Sequence, residues 1–241
     1  MAVKRGAIVH GDWRYQLTDE DLLWAGRMVQ GETLPGRARR GEDALAVLWT
    51  MTSLFTPAGQ RAKYGRLRFG TFTDLIRAYS QPINPRWLRD GFFCRPGGRH
   101  HGTDACAPER LDGRERLQRM AWSELDAELR AVVLRWAAGQ TTNPAPRAIE
   151  FAAPYVARAF LERHPDARRV TTIHNQFIAT ARSWGWATLP SVVAREGAAA
   201  ARGSAAGIAL FGVAAFGGLL GWGLSRRRSA EQRVRSRRRR R

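Results

Sequence analysis

Apolar positions recur at helical spacing along most of the first 190 residues, and the clearest such run ends in an acid. From Thr18 to Glu32 the chain reads Thr-Asp-Glu-Asp-Leu-Leu-Trp-Ala-Gly-Arg-Met-Val-Gln-Gly-Glu. Thr18 is placed to cap a helix, Asp21 follows in capping-box position, and the acidic first turn suits the positive end of the helix dipole. Ala25, Met28 and Val29 share the face of Glu32, so a face that packs inward finishes in a carboxyl group. A second helix is predicted from Gly41, with Ala44, Val47, Leu48, Met51 and Phe55 on one side until Pro57 stops it. A short helix over 73–79 runs into Ser80-Gln-Pro-Ile-Asn-Pro-Arg-Trp, where two prolines and Asn84 predict an ordered, non-helical loop. Ser123, with Asp126 three residues on, is read as the cap of a long helix over 124–138 that Gly139 ends. An extended stretch over 141–154, a helix near 155–163 and one strand over 170–178 complete the body. The fold class expected is mainly α, an α+β single domain with small β elements, over residues 1–190.

The C-terminal end follows a different pattern. A Gly/Ala-rich linker is expected over 191–203, and residues 204–224 then run without a charge. That length suffices for a single transmembrane helix, with Trp222 near one interface and Gly217 and Gly221 spaced for close helix contact. An arginine-rich tail, 225–241, follows directly and carries ten of the chain's Arg with one Glu. The positive-inside rule keeps that tail in the cytoplasm and turns the N-terminal domain outward, at a membrane, although residues 1–12 lack the apolar run of a signal peptide.

Charge alters this picture in one respect. The formal net charge is +19, about half of it in the tail, so the body is basic as well. A basic body suits a polyanion such as nucleic acid, an acidic membrane surface or an anionic cell-wall polymer. Only Lys4 and Lys63 among the basic residues are lysine, a bias that reflects base composition more readily than phosphate recognition. Nine Trp and ten Phe supply a core and exclude a disordered chain.

The candidate chemistry starts at Glu32. Partial desolvation and the negative end of a helix dipole both favour the neutral acid, which is what protonating a glycosidic oxygen requires. Gln81 and Asn84, with Ser80 on the same loop, can offer hydrogen bonds to acetamido groups. Tyr79, Trp87 and Phe151 can stack on sugar faces or serve as core. His174, Asn175 and Gln176 alternate on the expected strand, so one side of it could meet a cleft. Asp12, Asp90 and Asp104 are candidates for a second acid. Cys94 and Cys106 bracket a loop holding His100 and His101, which leaves three readings: a disulfide worth roughly 3 kcal/mol, unpaired thiols or a zinc site. The spacing matches no common metal pattern, and neither metal nor other cofactor is expected.

Taken together, four segments resemble the cell-wall hydrolase family typified by spore-cortex-lytic enzymes, related to goose-type lysozyme and lytic transglycosylases. They are Val29-Gln-Gly-Glu-Thr with Gly41-Glu-Asp-Ala-Leu-Ala-Val-Leu-Trp; Leu75-Ile-Arg-Ala-Tyr-Ser-Gln81; Ala131-Val-Val-Leu-Arg-Trp-Ala-Ala-Gly139 with Ala148-Ile-Glu-Phe-Ala-Ala-Pro154; and Ile173-His-Asn-Gln-Phe177. The resemblance covers about residues 15–185. Leu34-Pro-Gly-Arg stands where the family has a second Glu, Pro82 stands where it has Phe, and 88–113 read as an insertion. It implies a lysozyme-like fold, Glu32 as catalytic acid, Gln81 on a cleft-lining loop, and cleavage of the β-1,4 bond between N-acetylmuramic acid and N-acetylglucosamine. The transglycosylase variant of that chemistry needs one carboxylate, because the substrate's acetamido group assists and a 1,6-anhydro product forms. Ordinary glycosidases need two.

Two function classes follow. One is a membrane-anchored, muralytic enzyme of the kind phages encode, acting on peptidoglycan glycan strands. The other is a non-enzymatic tethered module that binds an anionic lipid or other polyanion through Arg37, Arg39, Arg40 and the tail. The absence of a recognisable motif speaks against nucleic acid as that partner.

Overall fold

The structure, a computed structural model, describes residues 5–184, 186 and 188–194. The chain divides into two units, Met1–Gly197 and Ala198–Arg241. The second, with the expected membrane span, the tail and most of the expected linker, lies outside the described residues. No helix among the described residues is long and apolar enough to cross a membrane.

The first unit is an α+β fold in which helices predominate. It opens with a hairpin that the hydrophobic pattern did not announce, β1 (Ala7–His10) and β2 (Trp13–Gln16). Helix α1 (Asp19–Glu32) follows, with the expected capping box between Thr18 and Asp21. Helix α2 (Arg40–Phe55) is buried along nearly its whole length, as expected of a helix that others surround. Pro57 does end α2, but it also begins α3 (Pro57–Tyr64), where its missing N–H costs nothing and the Thr56 hydroxyl accepts from the Gly59 N–H. Helix α4 (Phe72–Tyr79) leads into two short 3₁₀ turns, Gln81–Ile83 and Pro85–Trp87, which form the expected proline loop.

A further helix, α5 (Pro108–Arg119), begins inside the segment read as an insertion and runs past its end. The next helix, α6 (Ala127–Ala137), starts later than expected. Ser123 lies in a 3₁₀ turn, and Asp126 is the cap, accepting from the N–H groups of Glu128 and Leu129. Gly139 ends it with φ at +69°, a conformation glycine adopts without strain. Strand β3 (Glu150–Ala152) and helix α7 (Pro154–Arg163) come next. The expected single strand over 170–178 is instead a hairpin, β4 (Arg168–Thr172) and β5 (Gln176–Ala179). Ile173-His-Asn175 makes the turn, and the β-branched Val170-Thr-Thr-Ile173 running straight into it had hidden it. After α8 (Ala181–Trp184), β6 (Ser191–Val193) occupies the first residues of the expected linker and pairs with β1.

Two small antiparallel sheets result, in orders β2-β1-β6 and β3-β5-β4. One core joins them: Trp136 sits at its centre beside Phe72, and its indole N–H donates to the Thr52 hydroxyl at 3.2 Å. Asp21 does more than cap. It also accepts from the Thr73 N–H at 3.0 Å, the Thr73 hydroxyl at 2.8 Å and the Tyr15 hydroxyl at 3.0 Å. This buried junction locks the start of α4 against the start of α1, and both helices run from it toward Glu32 and Ser80.

Candidate active site

Glu32 is the last residue of α1, and Ser80 follows the last residue of α4. The fixed junction at Asp21 brings those two ends together, and the buried Ser80 hydroxyl donates to Glu32 Oε1 at 2.7 Å. The backbone around Glu32 is held as firmly. Asn175, in the β4–β5 turn, donates its side-chain amide to the Glu32 carbonyl at 3.3 Å and to Asp43 Oδ2 at 3.0 Å. Its main-chain N–H donates to Asp43 Oδ1 at 3.0 Å. Asp43 belongs to the first turn of α2, so α1, α2 and the β-hairpin converge behind the acid.

The electrostatics follow from this packing. Burial pushes the Glu32 carboxyl up to about 7; the Ser80 hydrogen bond opposes that shift and the Asp43 charge adds to it. Burial also raises Asp43, against the main-chain and side-chain donors of Asn175 and the main chain and charge of His174. A second, half-buried cluster lies alongside. The Tyr79 hydroxyl donates to Glu150 Oε2 at 2.5 Å, Lys63 pairs with the other Glu150 oxygen, and the Phe151 N–H reaches the Tyr79 hydroxyl at 3.4 Å. Burial raises the Tyr79 phenol, with the Glu32 charge contributing, and lowers the Lys63 ammonium to about 8.

In front of Glu32 opens a groove of about 590 Å³. Gln30, Gly31 and Glu32 of α1, Gln81 and Pro82 of the proline loop, and a wall of Arg110, Arg114, Arg116 and Leu117 from α5 line it. A smaller groove of about 390 Å³ shares Arg116 and Met120 and continues along α5 past Asp112, Glu115, Arg119 and Glu124. Three contacts hold α5 in place. Arg27 of α1, its guanidinium 4.5 Å from the Trp24 ring, donates twice to the Met120 carbonyl at 2.9 and 2.8 Å. Leu117 packs on Gly31, where an added Cβ would fall 2.5 Å from Pro82 Cβ and 2.7 Å from Leu117 Cδ2. Arg114 donates to the carbonyls of Ala105 at 2.8 Å and Trp87 at 3.1 Å. Those carbonyls flank a small lobe closed by a Cys94–Cys106 disulfide, so neither free thiols nor a thiolate metal site is present there. Among the described residues no cluster of His, Cys, Asp or Glu could hold a metal.

The structure brings together Glu32, Ser80 and Gln81. The Gln81 side chain is exposed in the groove and carries no hydrogen bond within the described residues. The other expected substrate contacts have structural duties. Asn84 is buried, accepting from the Arg86 N–H at 2.9 Å and donating to the Ala78 carbonyl at 2.8 Å, so its amide is spent on the proline loop. Phe151 is 8% exposed and packs between Tyr79 and Phe177 as core. Tyr79 is committed to Glu150 and Phe151, not presented as a platform. Trp87 builds the disulfide lobe with Phe93 and His100. His174 lies half-buried in a turn and acts on Asp43, and Gln176 is buried on β5. The proposed second acids do not join the site: Asp12 and Asp90 are exposed on turns, and the Asp104 side chain is 99% exposed. Arg40, suggested for polyanion binding, is buried against Asp126 at 2.9 Å.

The residues missed were Asp43 and the α5 arginines; Asn175, named for its place on the expected strand, holds the Glu32 carbonyl and Asp43. Asp43 stands in the Gly-Glu-Asp opening of α2 and reads as an ordinary first-turn acid, while Pro108 at a helix start was an available sign of α5. No family model, curated protein or solved structure matches the chain.

Proposed function

We propose that the chain is a peptidoglycan-cleaving glycosidase of lysozyme-like architecture that uses Glu32 as its single acid/base. The observation that carries this reading is a carboxyl lining a solvent groove, held by the Ser80 hydroxyl and pushed up to about 7 by burial. In the proposed cycle Glu32 gives its proton to the oxygen between N-acetylmuramic acid and N-acetylglucosamine as the C1–O bond breaks. The acetamido carbonyl oxygen of the same sugar closes on C1. Glu32, now a carboxylate steadied by the Ser80 hydroxyl, then takes the proton of the C6 hydroxyl as that oxygen displaces the acetamido oxygen from C1. The free Gln81 amide is suited to orient the acetamido group.

The one-carboxylate version is favoured by the state of the neighbouring acids. A second catalytic carboxylate must be free to meet water or the sugar. Both Asp43 oxygens accept from Asn175, and the Glu150 oxygens are taken by Tyr79 and Lys63. The disulfide suits action outside the cytoplasm, in keeping with a chain tethered through 204–224 and its arginine tail. Mass spectrometry of purified sacculi treated with the full-length protein tests the reading: soluble fragments with 1,6-anhydro ends are expected, and none from Glu32→Gln. Reducing ends instead would mean water completes the reaction. Binding without cleavage by the wild type would leave the tethered, non-enzymatic module.

A further inference from the structure

The wall of the groove facing Glu32 is more cationic than a neutral sugar polymer has use for. Arg110, Arg114 and Arg116 contribute to the lining, and Glu32, which burial pushes up to about 7, is the one carboxyl group in it. These arginines are poorly compensated. Arg110 has only a distant contact, 3.9 Å, with an Asp104 side chain that is almost wholly exposed. No acidic partner engages Arg116 among the described residues, where the nearby acids are taken up differently: Asp112 and Glu115 by Arg89, and Glu115 also by Arg119. Arg114 is 8% exposed, and burial together with the charge of Arg110 lowers its guanidinium, so the two cations stand close enough to repel. Arg114 spends one nitrogen on the carbonyls of Trp87 and Ala105. Arg110 and Arg114 stand close together on a braced helix and Arg116 lines the same groove, so their guanidinium groups offer forked donors to an incoming carboxylate.

We propose that Arg110 and Arg116, backed by Arg114, form a carboxylate-recognition subsite that selects an acidic muramyl polymer over a neutral chitin-like one. The inference rests on the glycosidase reading and deepens it. A muramyl strand and a chitin strand share the β-1,4 backbone and acetamido groups. They differ in the lactyl and peptide carboxylates that only the former carries. Gln81 and Glu32 meet what the two polymers have in common, and the α5 wall meets what separates them.

The test uses full-length protein carrying Glu32→Gln, so that bound polymer is not consumed, and compares native sacculi with sacculi whose carboxylates have been converted to amides. The arginine tail contributes to binding in every variant, so the comparison is between Arg110→Gln/Arg116→Gln and a control that removes two exposed arginines elsewhere, Arg14→Gln/Arg158→Gln. The control should prefer native over amidated sacculi, and the groove variant should lose about ten-fold in affinity for native sacculi while its affinity for amidated ones is unchanged. Arg110→Lys/Arg116→Lys should recover part of the preference, because charge remains while the fork is lost. Equal losses in the groove and control variants would overturn the subsite, as would a groove variant that keeps the full preference. Cleavage by the Glu32-containing protein is measured in parallel; its absence would sink the glycosidase reading, whereas the binding contrast answers for the subsite alone.

Discussion

The behaviour of Glu32 depends on a balance between burial and one hydroxyl. Burial alone favours the neutral acid, and the Ser80 hydrogen bond returns part of the cost of ionising it. A general acid must hold its proton before the bond breaks, so kcat/KM should fall as pH rises through about 7. Ser80→Ala removes a donor that favours the carboxylate. The Glu32 pKa then rises further, and the falling limb should move to higher pH, with a lower maximal rate because the base form is less well held. A pH–rate profile of the two proteins reads this directly; a limb that stays in place would mean that Ser80 does not govern the acid. The position of Glu32 was legible in the sequence because its helix carries a full set of local signals: cap, capping box, acidic first turn and inward face. Ser80, Asn175 and Asp43 as its partners were not, since those contacts join residues 48, 143 and 132 positions apart and no local rule reports them.

At the scale of elements, local signals succeeded where a helix owns its caps and failed where sheet pairing or close approach decides. Thr18, Pro57 and Gly139 mark real helix ends. The hairpins β1–β2 and β4–β5, each completed by a strand far along the chain, β6 and β3, were missed or merged into one strand. The α5 wall was missed as well, because Gly, Pro and Arg dominate its approach. Its contact with α1 yields a sharp prediction. Gly31→Ala places a methyl within 2.7 Å of both Pro82 and Leu117, tighter than packed carbon atoms tolerate. The Gln81–Pro82 loop or α5 must give way, at a cost of roughly 1–3 kcal/mol. Cleavage should fall more than ten-fold, with the melting temperature lowered by roughly 2–12 °C. A variant with wild-type kinetics would show that the loop and the wall do not define the groove.

For the whole molecule, the disulfide lobe and the site are mechanically linked: Cys94–Cys106 closes the lobe, the lobe carbonyls hold Arg114, and Arg114 stands in the groove wall. Reduction should cost about 3 kcal/mol, a fall of roughly 6–12 °C in melting temperature, and weaken sacculus binding in the same titration. Melting with and without reductant checks the first part, and a reduced protein that melts and binds like the oxidised one would remove the lobe from the account. The charge of the body, which alone could not choose among polyanions, acquires a location in this wall. The most direct measurement is the rate at which full-length wild type and Glu32→Gln cleave glycan strands in purified sacculi at pH 6, where the wild-type acid is protonated. The account predicts a loss of at least about 10²-fold on replacing Glu32, with folding and sacculus binding retained. Rates within a few-fold of each other would contradict it.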